Sequence, residues 1–125
     1  MADESIQQAA STDVLDASVV ASLRRLGQRA GRDVFRELTG LFLETSTEAL
    51  SNIHRNVREG DLTEVARIAH SVKGSSSVIG GYRMASVAAD LEEIALQGEA
   101  GAVQQSVACF EHELRALRAA LEPAD

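Results

Sequence analysis

At 125 residues the chain is long enough for one domain with a modest core and too short for several. Its 45% hydrophobic and 25% charged residues are those of a globular protein, and its single Cys109 excludes an internal disulfide and a cysteine-rich metal site. The net charge of −7 sets it against general nucleic-acid binding, although an acidic chain can still carry a local basic patch.

No stretch reaches the length of an apolar membrane span, and Met1 to Ser11 lack the basic start and apolar block of a signal peptide. A cytoplasmic protein with no membrane association is expected. Ala, Leu, Glu and Arg are plentiful, and Pro occurs once, at Pro123, so the expected class is all-α.

Residues 1–12 are small and polar without an apolar period, and read as a mobile tail ahead of a domain over 13–122. A short first helix is predicted from about Asp16 to Leu26, with Asp16 as N-cap and Gly27 as its stop. A connection containing Gly31 follows. The second helix runs over 33–59, with Phe35, Leu38, Phe42, Ala49, Ile53 and Val57 on one stripe. Gly40 lies inside it at a cost of about 1 kcal/mol relative to Ala. Gly60 ends it.

Asp61 with Glu64 resembles a capping box and opens the third helix, which runs to about Ser77 or Val78. Gly80-Gly81 breaks it. The fourth helix spans about 82–97, with Met84, Val87, Leu91 and Ile94 inward and Gly98 as its stop. The fifth runs over about 100–121, and Val103, Val107, Phe110, Leu114, Leu117 and Leu121 form its inner seam. Short links favour antiparallel neighbours. The expected fold is an up-down-up-down antiparallel four-helix bundle with an additional short N-terminal helix.

The third helix carries a histidine, a lysine and a glycine that a bundle helix does not need. Stepping about 100° per residue from His70 puts Val65, Ile68, Val72 and Ile79 between about 160° and 220° away, with Ala69 and Ser76 beside them. His70 therefore points to solvent. Thr63, Ala66, Arg67, Lys73, Gly74 and Ser77 fall within about 60° of it. No second metal ligand shares this face, and a nucleophilic triad would need a buried acid and a closer hydroxyl. A convex bundle face also lacks the pocket that acid–base chemistry uses.

One chemistry suits an exposed imidazole beside cations. Neutral imidazole, with an ordinary pKa of about 6.5, is a good nucleophile. If it captures a phosphoryl group, Lys73 one turn on can neutralise the added charge, with Arg67 on the other side. Gly74, with Ala66 and Ser77, leaves room for a partner's backbone. A lone exposed histidine is ordinarily a solvated side chain; the conjunction is what points to a site. His54 and His112 lack such neighbours and read as structural or solvent-facing. Cys109 reads as a small hydrophobe on the inner side of the last helix. Glu92-Glu93 and Glu111 to Glu113 read as solvated faces.

Ala69-His70-Ser71-Val72-Lys73-Gly74-Ser75-Ser76, with Gly80 ten residues after the histidine, resembles the signature of histidine-containing phosphotransfer (HPt) domains. Leu41-Phe42-Leu43-Glu44, Gly60-Asp61-Leu62 and Leu91-Glu92 resemble the same family, and the likeness covers about residues 14–121. It implies that a receiver domain docks over His70 and passes a phosphoryl group from its aspartate. It implies that Lys73 stabilises that group and Gly74 permits docking. Glu92 stands where some relatives have a glutamine near the imidazole, so it can hydrogen-bond the neutral ring but would oppose its phosphorylated form. Tyr82 and Arg83 are further docking candidates, with parts of the first helix and the exposed side of the second. Gly81 replaces a frequent Ala, and Val72 a frequent Leu.

The implied partners are response-regulator receiver domains and a sensor or hybrid histidine kinase. The catalytic pocket and its metal ion belong to the receiver. No nucleotide-binding loop is visible, so a carrier without kinase activity or cofactor is expected. The alternatives are an adaptor bundle that carries no phosphate and the isolated domain of a larger kinase. The Met1 start and polar tail favour a free-standing protein, and a monomer is expected.

Overall fold

The structure, a computed structural model, describes residues 14–122, so the predicted tail lies outside the described residues. Among the described residues, five helices follow in chain order: α1 (Ala17–Ala30), α2 (Val34–Glu59), α3 (Leu62–Val78), α4 (Tyr82–Gln97) and α5 (Ala100–Leu121). Helices α2 to α5 pack in sequence and α5 returns against α2, which closes an antiparallel four-helix bundle. The α3–α4 seam is the most extensive contact. That seam carries the site.

The aspartates begin the helices for one reason. Asp16, Asp33 and Asp61 each accept a hydrogen bond from a first-turn amide, of Ser18, Arg36 and Glu64 respectively. Each such cap is worth about 1 kcal/mol. At Asp61 the reciprocal half of a capping box is replaced, because Glu64 turns its carboxylate to Arg67.

The first helix does not stop at Gly27. It continues to Ala30, and Gly31 ends it in the left-handed conformation at φ 72°. Gly27 is buried for a different reason: a Cβ there would lie 2.6 Å from the Arg32 carbonyl oxygen. The glycine lets the chain fold back tightly into α2. At its other end, the Asp16 amide donates to the Gly80 carbonyl at 2.7 Å. Helix α1 therefore crosses the bundle end that holds the α3–α4 turn and the start of α2.

Phe42, Ile53, Val65, Ile79, Met84, Leu91, Val103, Phe110 and Leu117 form the centre of the core, all at 3% exposure or less. The inner stripes predicted for α3, α4 and α5 all contribute. Phe35 instead sits half-buried under the Arg24 guanidinium, 5.0 Å from its ring centroid. Cys109 is exposed, not inward, because Phe110 takes the core position beside it. Among the described residues, no helix is long and apolar enough to cross a membrane.

Candidate functional site

His70 sits midway along α3, next to the fully buried Ala69. Across the seam, Glu92 follows the fully buried Leu91 on α4. Burial of those two neighbours fixes both helices in rotation and turns His70 and Glu92 to the same outer edge. The histidine Nδ1 lies 3.0 Å and 3.1 Å from the two Glu92 carboxylate oxygens. Lys73, one turn beyond His70, places Nζ 3.7 Å from the same carboxylate. Glu92 is therefore not a solvated residue; its side chain is only 25% exposed, while that of His70 is 64% exposed.

This contact assigns the ring's protons. A carboxylate only accepts hydrogen bonds, so Nδ1 carries the hydrogen and donates. In the neutral ring, Nε2 then holds the free lone pair. The arrangement presents an exposed nucleophilic nitrogen with its opposite nitrogen anchored. Lys73 stands within one helical turn of it.

Gly74 is exposed, and a Cβ built there would meet nothing within 4 Å. Its φ is not positive, so neither packing nor backbone geometry inside this chain requires glycine. Ser77 is exposed and donates its hydroxyl to the Lys73 carbonyl at 3.0 Å. Tyr82 is 46% exposed at the start of α4.

Three expected site residues stand elsewhere. Ala66 is 3% exposed and belongs to the core. Helical side chains lean toward the N-terminus, so His70 leans over the turn containing Ala66 and α3's outer face is narrower than a wheel suggests. Arg67 is exposed but turned away to Glu64 in a two-oxygen contact. That pairing holds the Glu64 carboxyl below the usual range and raises the Arg67 guanidinium. Arg83 donates to Glu113 on α5 at 2.9 Å. Glu113 is correspondingly 14% exposed and not a solvated residue.

Two residues escape a wheel centred on His70. Leu41 on α2 is 57% exposed and Val78 at the end of α3 is 55% exposed. The groove between these helices, about 240 Å³, is lined by Thr45, Glu48, Asn52, Arg67, Ser71 and Ser75 among others. Continuing its antiparallel register by one turn brings Leu41 level with Val78 beyond Gly74. The signal in the sequence is a large apolar residue lying off the buried stripe. His54 also has a partner, with Nε2 2.7 Å from Glu111 on α5.

The family model described as Hpt domain matches residues 37–122. The chain belongs to the Hpt domain family. Its function class is therefore histidine phosphotransfer in a phosphorelay, alongside two-component kinases and receiver domains. Among solved structures it is similar to histidine-containing phosphotransfer protein B (HptB) from Pseudomonas aeruginosa PAO1. The identity is 30% and the TM-score 0.79, over 86% of this chain and 90% of that one. A rice protein described as a candidate histidine-containing phosphotransfer protein shares the fold at 16% identity and a TM-score of 0.80. That likeness covers 93% of this chain and 82% of that one. The comparison with curated proteins gives no match. Helix α1 lies outside the Hpt match and packs across the end of the bundle.

Proposed function

We propose that His70 is the phosphoryl-accepting residue of this Hpt protein, and that it takes the group on Nε2 from the phosphorylated aspartate of a receiver domain. The Nδ1 contact with Glu92 carries this reading, because the neutral ring then holds its lone pair on Nε2 of an exposed histidine. The Nε2 lone pair attacks phosphorus, the N–P bond forms, and the P–O bond to the aspartate breaks. The bonding electrons leave with the aspartate carboxylate. No proton moves on this chain: Nδ1 keeps its hydrogen throughout.

The phosphorylated ring then carries positive charge, and the Glu92 carboxylate lies on the Nδ1 side, opposite the phosphoryl group. From there it hydrogen-bonds the charged ring, in place of the opposition expected of an acid beside the phosphoryl group. Lys73 is held near Glu92 at 3.7 Å, a loose distance, and can swing to the phosphoryl oxygens. Gly74 lets the receiver backbone approach, with Ser77 and Tyr82 at the rim of the contact and Leu41 and Val78 as its apolar part. The reverse transfer, to a second receiver, uses the same atoms. The domain over 13–122 acts as a carrier, with the catalytic pocket supplied by the partner.

The test is transfer from a panel of receiver domains charged with acetyl phosphate. The expected product is an acid-labile, base-stable label on wild-type chain and none on His70→Gln. A His70→Gln chain that still takes the label sinks the assignment.

A further inference from the structure

Residues 17–32 contain four arginines, Arg24, Arg25, Arg29 and Arg32, and no acid. The net −7 of the chain thus divides into +4 on this block and −11 on everything else. All four side chains belong to exposed residues. Arg24 covers Phe35 and Arg25 donates to the Ser22 hydroxyl. Arg29 has no acidic partner among the described residues, and only Arg32 has one, Glu37 at 3.4 Å. The helix dipole favours Arg29 in the last turn. It does not account for four arginines without a single intervening acid.

The site is the opposite case. Lys73 is held by Glu92 and Arg67 by Glu64, so its two cations are already matched by carboxylates. An acidic surface approaching His70 meets no excess positive charge there and a strongly acidic body around it. Among the described residues, α1 with Arg32 is the densest block of arginine without an acid. Leu26, 51% exposed among the arginines, supplies an apolar contact beside them.

We propose that the arginine-bearing half of α1 is the docking and steering surface for an acidic face of the receiver domain that exchanges phosphate with His70. The inference rests on the reading of His70 above and adds the partner's charge and the place of its second contact. Helix α1 begins against Gly80, about 15 Å along α3 from His70, and Arg25 and Arg29 lie about 14 Å and about 20 Å further along α1 at 1.5 Å per residue. Because α1 crosses the bundle end, these steps do not add in a straight line, and an ordinary interface of about 800 Å² per partner, roughly 30 Å across, spans His70 and this half of α1. Long-range attraction to α1 raises the encounter rate, while His70 and Lys73 act only after docking.

The experiment is stopped-flow association with the receiver that labels the chain in the transfer assay. For wild type, the association rate should fall about tenfold as salt rises from about 20 mM to about 300 mM. Arg25→Glu with Arg29→Glu should associate about tenfold more slowly at low salt and lose most of that salt dependence. Arg25→Gln with Arg29→Gln should fall between, with helix content unchanged by circular dichroism. Labelling at saturating receiver should survive in both variants, and His70→Gln should lose labelling but keep the wild-type association rate. Unchanged association and salt slope in the reversed variant overturn the inference and leave His70 standing. Binding to phosphatidylglycerol–phosphatidylcholine vesicles that depends on these arginines, with receiver association unchanged, assigns the patch to a membrane and also overturns it. If no receiver in the panel binds wild type, this inference and the reading beneath it fall together.

Discussion

Glu92 holds both carboxylate oxygens within 3.1 Å of His70 Nδ1, across the α3–α4 seam. The contact fixes the tautomer and orients the ring, and it stands behind the nucleophile, not in front of it. Glu92→Ala should therefore slow labelling of His70 by about one order of magnitude without unfolding the bundle. Nitrogen-15 NMR of the imidazole should show the proton leaving Nδ1 for a mixed population. Glu92→Gln keeps an acceptor for Nδ1 and should restore the tautomer, but the phosphorylated product should be less stable. An unchanged imidazole spectrum in Glu92→Ala would remove the positioning role.

Gly74 and Gly27 are both helix-interior glycines, and they should respond oppositely to alanine. A Cβ at Gly74 meets nothing within this chain, so Gly74→Ala should stabilise the isolated protein by about 1 kcal/mol, or about 4 °C in Tm. Receiver-dependent labelling should slow at the same time. At Gly27 the added carbon meets a backbone carbonyl at 2.6 Å, and overpacking of this kind costs about 1–3 kcal/mol. Thermal melts of the two variants, run beside the transfer assay, separate a docking glycine from a packing glycine. Gly74→Ala that melts lower than wild type would falsify the docking explanation.

What the sequence makes legible follows from the range of each interaction. The outward direction of His70 needs only the helical period and the apolar arc of Val65, Ile68, Val72 and Ile79. The helix ends at Gly60 and Gly98 need only local turn chemistry. Gly27 defeats the same rule, because a glycine before a turn and a glycine inside a tight fold-back look alike in one dimension. Ala66 is misplaced by a wheel that ignores the lean of side chains along the axis. Arg83 is misassigned because its partner, Glu113, lies 30 residues away on another helix. Glu92 is suggested by resemblance, but its dual contact with His70 and Lys73 depends on the relative rotation of two helices.

Arg83 should behave as a structural residue. Its ion pair with Glu113 is largely shielded, and Glu113 Oε1 is already buried without a hydrogen-bond partner. Arg83→Ala leaves that carboxylate further uncompensated and should destabilise by about 1–3 kcal/mol. Labelling of the folded fraction should be unchanged. Denaturant titration measures the first effect, and initial transfer rates below the melting range measure the second. A loss of transfer with full stability would return Arg83 to the docking surface.

Acid should loosen α1 before the bundle. The Asp16 carboxyl is held below its ordinary value of 3.8, first by the Ser18 hydroxyl and then by the Ser18 amide. A carboxylate whose folded pKa is depressed stabilises fully above its unfolded value. That stabilisation is lost as pH falls through the folded value, because the unfolded chain binds the proton more readily. Below pH 3.8 the N-cap therefore weakens, and with it the start of the helix tied to Gly80. Hydrogen exchange at the Ser18 amide and its neighbours should accelerate there ahead of core amides in α3 and α5. Asp16→Asn keeps an oxygen acceptor without the titration and should flatten this local dependence. Should exchange in α1 and in the core accelerate together, α1 would be an integral part of the cooperative unit and not a separately held helix across the bundle end.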